Sequence, residues 1–220
     1  IAILDWMEAN GERMEACIVG EPSNPEYMGE MMKIGRRGSA TYTVTAKGKQ
    51  GHAAYPHRAK NPLHALTAYL NDLIAAPLDA GTDHFDPTGL QITSIDCGNP
   101  ASNVIPETAR AVVNIRFNDR HTRDSLARWL EAAIAPLAPD HDLEVAGNAE
   151  AFLTAPGRLS EILQASVEEA TGRRPALSTS GGTSDARFIT RLCPVAELGA
   201  VGTTMHKVDE RTPVEELRQL

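Results

Sequence analysis

Four short stretches of the 220-residue sequence, and a few arginines, put polar or titratable side chains where chemistry could be done. Glu21 follows the apolar run Ala16-Cys17-Ile18-Val19 and Gly20, and precedes Pro22. Pro22 restricts the residue before it to an extended backbone. That would aim the Glu21 carboxylate away from a strand end, where open α/β sheets carry their sites; the plain alternative is a surface-loop glutamate. His206 follows Val195-Ala196-Glu197-Leu198 and the small-residue loop Gly199–Thr204. An imidazole there could ligate a metal or move a proton, or be an ordinary loop histidine. Gly51-His52-Ala53-Ala54-Tyr55-Pro56-His57 holds two histidines and a tyrosine, and the small neighbours of His52 leave room for a close approach. Its spacing is not that of H-E-x-x-H, and His57 and His64 read as loop and helix-surface residues. In Ser178-Thr179-Ser180-Gly181-Gly182-Thr183-Ser184-Asp185 the glycines could let backbone N–H groups meet an anion such as a carboxylate. Equally, Thr183 or Ser184 could simply cap a helix, with Asp185 in its first turn. The string is neither a nucleotide-binding glycine loop nor a G-x-S-x-G elbow. Arg36, Arg37, Arg110 and Arg116 could hold carboxylates bidentately.

These residues need elements to position them. Residues 16–19 read as a short buried strand with a Gly-Pro exit, and 23–35 as a Met-rich loop. Thr41–Ala46 alternates with period two and ends at Gly48 and Gly51. Pro62 opens a helix carrying Leu63, Leu66, Leu70 and Leu73, closed by Pro77. Strands follow at 89–96 and 108–117, around a polar loop at 99–103. The second strand has Ala111, Val113, Ile115 and Phe117 on one face and Arg110, Asn114 and Arg116 on the other. A helix through Leu126, Leu130 and Ile134, capped by Asp124 or Thr122, leads to a short strand at Leu143–Val145. Residues 40–150 thus read β-α-β-β-α-β, the ferredoxin-like order. Residues 151–220 return to α/β alternation: a helix ended by Gly172, a strand at 176–179, a short helix near Ser184 and a strand at 194–198. The expected fold class is α/β, a catalytic domain formed by 1–39 and 151–220 with an inserted ferredoxin-like α+β domain at 40–150.

Composition narrows the function. With 21 basic and 29 acidic residues the net charge is −8, which disfavours nucleic acid or an anionic membrane as partner. A small anionic substrate stays open, because a few arginines make a local positive pocket. The three cysteines are far apart, which suits a reducing compartment, the cytoplasm. No apolar run approaches a membrane span. The sequence opens at Ile1 as if inside an element and closes on Val214–Leu220 as the first turns of a helix, so it reads as a piece cut at both ends.

Taken together, Ile18–Pro22, Gly48–His57, Asn103-Val104-Ile105-Pro106, Ser178–Asp185 and Met205-His206 resemble, in order and spacing, the M20 family of zinc amidohydrolases and peptidases. The resemblance covers nearly the whole chain. It implies a catalytic domain with two zinc ions per subunit (cobalt being an alternative in one site), and an inserted lid through which two copies form a homodimer. It also implies hydrolysis of an amide; the Gly48–His57 and Ser178–Asp185 strings are most similar to the branch that splits N-succinyl-LL-2,6-diaminopimelate into succinate and LL-2,6-diaminopimelate, for lysine biosynthesis. Residue by residue, it implies Glu21 and His206 as metal ligands and His52 as a catalytic oxyanion donor reaching a partner subunit. Arg36, Tyr55, Asn103, Arg116, Gly182 and Thr183 would contact substrate. The family's early His-x-Asp segment, bridging Asp and Glu-Glu pair have no counterpart here. The chain by itself is therefore expected to bind zinc weakly and not to catalyse. The competing expectations are another M20 hydrolase (an acetylornithine deacetylase, aminoacylase or carboxypeptidase) and a truncated, non-catalytic dimerisation module.

Overall fold

A computed structural model describes residues 2–75 and 77–220; Ile1, Ala76 and the side chain of Asn148 lie outside the description. In chain order the first elements are α1 (Ala2–Ala9), β1 (Cys17–Val19), β2 (Met31–Lys33), β3 (Gly35–Arg36), β4 (Gly38–Lys47) and β5 (Gly51–His52). Then come a 3-10 turn (Pro56–Arg58), α2 (Pro62–Ala75), β6 (Gly89–Asp96), β7 (Val104–Ile105), β8 (Thr108–Phe117), α3 (Arg123–Ile134) and β9 (His141–Ala149). The last are β10 (Phe152–Leu153), α4 (Arg158–Thr171), β11 (Ala176–Ser178), α5 (Ala186–Ile189), β12 (Val195–Glu197) and α6 (Val214–Gln219). Two compact units result: Gly38–Glu150, and the segments before and after it.

The discontinuous unit is built on a four-stranded mixed sheet in the order β1-β12-β2-β11. β1 runs parallel to β12 and β11 parallel to β2, while β12 and β2 are antiparallel. Two expectations are corrected here. The supposed loop at 23–35 contains β2, an interior strand whose Met32 is fully buried. Met31-Met32-Lys33 has neither alternation nor β-branched residues. Its strand character comes from partners far away in sequence, Ala176 opposite Met31 and Glu197 opposite Lys33. The strand at 16–19 is not buried but lies at the sheet edge, with Ile18 54% exposed. Met32, Ile34, Leu163 and Ala196 form one apolar cluster and Ala186, Cys193 and Val195 another. α4 contributes Leu163 and Val167 to the interior and ends on Gly172, whose φ of 72° is the left-handed conformation that closes helices.

The continuous unit is a four-stranded antiparallel sheet, order β6-β8-β4-β9. Alternation does the work: Ala40, Tyr42, Val44 and Ala46 of β4 and Ala109, Ala111, Val113, Ile115 and Phe117 of β8 are buried. Leu66, Tyr69, Leu70 and Leu73 of α2 and Leu126, Leu130 and Ile134 of α3 cover that face. The cap of α3 is Thr122, whose Oγ1 accepts from the Ser125 N–H at 3.1 Å while Ser125 Oγ accepts from the Thr122 N–H at 2.9 Å. β9 is longer than the short strand expected at 143–145.

Candidate active site

In the discontinuous unit the site begins where β1 and β12 end side by side. Beyond β1 the chain turns through Gly20 to the half-buried Glu21. Beyond β12 it passes Gly199, where a Cβ would strike the Glu21 carbonyl, so only glycine fits. The two exit loops are stitched together. The Leu198 N–H donates to the Val19 carbonyl (3.0 Å), and Asn24 Nδ2 donates to the Gly199 carbonyl (2.7 Å). The Gly202 N–H in turn donates to the Asn24 carbonyl (2.8 Å). Thus the loop carrying Glu21 and the loop leading to His206 share one hydrogen-bonded frame. His206 is exposed and holds φ at 61°, a conformation few non-glycine residues adopt and one that recurs at functional sites.

The Ser178–Asp185 string leaves β11 over a buried polar cluster that the sequence did not announce. Glu197, 1% exposed, accepts from both Nε and Nη2 of Arg36. Arg36 Nη1 donates to the Ser180 carbonyl at 3.1 Å. Lys33 Nζ donates to Ser180 Oγ at 2.8 Å and to Ser178 Oγ at 3.3 Å. Burial and the neighbouring Arg36 guanidinium lower the Lys33 pKa to about 8. Arg36, expected to contact substrate, has Nε, Nη1 and Nη2 engaged inside the protein. What it does here is hold the turn: Gly181 sits at φ 103°, and a Cβ on it would collide with Arg36 Nη1. Gly182 and Thr183 are exposed beyond that turn. The α5 N-terminus is served by Ser184, whose Oγ accepts from the Ala186 N–H at 3.1 Å. The sequence carried one signal for this cluster, an acid in the apolar run Pro194–Leu198.

In the continuous unit, β5 pairs with β7 (Gly51 with Ile105, His52 with Val104), and the Ala53 N–H donates to the Asn103 carbonyl at 2.8 Å. This brings the exposed His52, Tyr55 and Asn103 onto one tongue. The His52 and Tyr55 rings lie 5.7 Å apart. His52 Nδ1 accepts the Ala54 N–H at 3.1 Å, so a neutral imidazole carries its proton on Nε2 and presents it outward. Arg116 is not brought to the tongue. It pairs with Ser39 and Gly89 at the far end of β8, roughly 26 Å along the strand from the Thr108 end nearest the tongue.

Among the described residues no three of His, Cys, Asp or Glu are grouped as a metal centre would need.

A ferredoxin-like unit inserted between the two parts of an α/β unit is the architecture to be compared with known proteins. Residues 34–142 match the family described as the M20 peptidase dimerisation domain. The fold superposes on the aminopeptidase PepT of Bacillus cereus with a TM-score of 0.72 at 21% identity, over 90% of this chain and 52% of that one. An M20 metallo-carboxypeptidase of Sulfolobus solfataricus gives 0.72 at 13% identity, over 99% of this chain and 64% of that one. Residues 34–142 belong to the M20 dimerisation-domain family. In sequence it is 60% identical over its whole length to the succinyl-diaminopimelate desuccinylase of Paracoccus denitrificans (strain Pd 1222), covering 58% of that relative. It is 56% identical to the enzyme of the same name from Rhodospirillum rubrum (strain ATCC 11170), over 99% of this chain and 57% of that relative. The chain therefore spans rather more than half the length of the curated relatives it matches.

Proposed function

We propose that this chain is part of a metal-dependent amide hydrolase that converts N-succinyl-LL-2,6-diaminopimelate and water to succinate and LL-2,6-diaminopimelate. The observation that carries the reading is identity of 60% along the entire chain to a relative bearing that activity in its name. Residues 1–39 and 151–220 belong to the catalytic domain, and 40–150 to a lid that joins two copies as a homodimer; the match to a dimerisation domain supports this. Zinc is the metal we propose for the complete polypeptide, two ions per subunit, with Glu21 and His206 among the ligands. Three free cysteines fit a cytoplasmic protein.

The residues of this chain suit the task in particular ways. Hydrolysis of an amide develops negative charge on the carbonyl oxygen, and a fixed neutral donor stabilises that charge without first neutralising the substrate. The Nε2–H of His52, set by the bond from Ala54 to Nδ1, is such a donor. Tyr55 and Asn103, on the same tongue, are placed to orient substrate. A tongue and an Arg116 at opposite ends of β8 do not converge within one copy, which supports a site completed by a second copy. Arg116, Gly182 and Thr183 would hold substrate carboxylate and backbone, and Arg36 would act by fixing the turn before Gly182.

The test is amide hydrolysis by the complete polypeptide with zinc, read as succinate release from N-succinyl-LL-2,6-diaminopimelate and as acetate release from acetylated amino acids such as N-acetylornithine. Preference for the succinyl amide is the expected result; stronger turnover of the acetyl substrate would move the protein to another M20 activity.

A further inference from the structure

The tongue carries a charge pattern that the proposed roles of His52, Tyr55 and Asn103 do not use. Residues 48–61 contain Lys49, His52, His57, Arg58 and Lys60 and no Asp or Glu, in a chain of net charge −8. Lys49 and Lys60 face each other across an isolated antiparallel bridge. Each N–H donates to the other's carbonyl, at 2.8 and 3.0 Å. Like charges held directly opposite destabilise a strand pair, so this arrangement works against folding unless an anion relieves it. Ion pairing stops just short of it: Lys47 reaches Asp142 at 2.7 Å, and among the described residues Lys49, Arg58 and Lys60 meet no carboxylate. Glu107 meets this segment through its backbone carbonyl, which accepts from the Gly48 N–H.

Two of the donors are held against an aromatic ring. Tyr55, 51% exposed, is the hub. The His57 ring meets it edge-on at 6.3 Å, and the Arg58 guanidinium stacks 5.4 Å from its centroid. Arg58 stands one extended residue, Ala59, from Lys60. The backbone beneath is tight: a Cβ on Gly48 would strike the Lys60 carbonyl, and one on Gly51 would come within 2.7 Å of Ala59 Cβ. A backbone fixed in this way brings the side chains of Lys49, Arg58 and Lys60 to one stretch of the tongue, which lowers the ordering cost of capturing an anion.

We propose that Lys49, Arg58 and Lys60, with His57, form a receiving site for a small dicarboxylate. The choice of a dicarboxylate rests on the function proposed above; the site rests on its own geometry. Its residues guide and retain the anionic end of a ligand and take no part in bond making.

The experiment is a titration of the 220-residue chain with sodium succinate, followed by 1H–15N spectra, with sodium chloride as control. Saturable shifts confined to residues 48–61 are expected. K49Q/K60Q and R58Q should each weaken the succinate affinity by about fivefold, and raising salt from about 20 to about 200 mM should weaken it in the parent chain. Acetate should bind more weakly than succinate. The proposal is overturned if shifts fail to saturate, if chloride alone reproduces them, if the variants bind as the parent does, or if acetate or inorganic phosphate binds as well as succinate. None of these readouts depends on hydrolysis, so failure of the site and failure of the hydrolase reading are separate results.

Discussion

Arg36 and Glu197, 161 residues apart in sequence, form a buried ion pair in which Nε and Nη2 converge on the single oxygen Oε2, at 2.9 Å for Nε. The other oxygen, Oε1, is buried without a hydrogen-bond partner among the described residues. Removing one member of such a pair leaves a buried charge, at a cost of about 3–5 kcal/mol, whereas replacing both with apolar groups costs little. Urea unfolding should therefore show E197A and R36M strongly destabilised and R36M/E197L closer to the parent. Single variants within about 1 kcal/mol of the parent would mean that the pair contributes no more than a surface one.

Lys33 lies beside that pair with its pKa lowered from 10.5 to about 8. The folded chain releases this proton before the unfolded chain does. Between pH 8 and 10.5 the unfolded state holds more protons, so this group adds stability as pH rises through that window. The difference in unfolding free energy between parent and K33M should shift in the parent's favour across it. A difference that is flat with pH would rule out a desolvated ammonium at this position.

Asp79, between α2 and β6, accepts from the Gly81 N–H (2.7 Å), the Thr88 N–H (3.2 Å), Asn118 Nδ2 (2.7 Å) and His121 Nε2 (3.0 Å). Burial alone would raise its pKa, but the hydrogen bonds from Thr88, Gly81 and Asn118 outweigh it and hold the carboxyl well below its usual range. The stability it supplies is present above its ordinary pKa and lost as pH falls below it. D79N should cost about 2 kcal/mol at neutral pH and show a shallower loss of stability on acidification. Equal acid sensitivity in the two proteins would count against this anchor.

His52 is exposed and packs into no core, so H52A should leave unfolding unchanged. In the complete polypeptide it should lower kcat by about 10²–10³-fold, the usual cost of one oxyanion donor. Nitrogen shifts of the imidazole should place the neutral-form proton on Nε2. Unaltered kcat in H52A would remove the catalytic role proposed for it.

The ferredoxin-like unit was legible because its signals are local. β4 and β8 alternate with period two, α2 and α3 keep helical spacing, and Pro62 opens α2 while Thr122, one of the two expected caps, opens α3. β2 was not legible. Three residues without alternation become an interior strand only when β11 and β12 arrive on either side. The edge position of β1 was hidden for the same reason: an apolar run says that a strand prefers burial, not which neighbours it receives.

The same division runs through the site. The motif strings carried the family resemblance, and residue types and spacing determined the order of elements in the inserted unit and which histidines and glycines were worth following. Those properties depend on side-chain chemistry and on contacts within a few residues. Tertiary structure alone decided that Arg36 turns inward to Glu197, that Lys33 joins it, and that Arg116 stands far from the tongue. It also decided that the Glu21 and His206 loops share one frame. Each of these is a contact between segments brought together by sheet pairing, and the free energy of such contacts belongs to no single stretch of sequence.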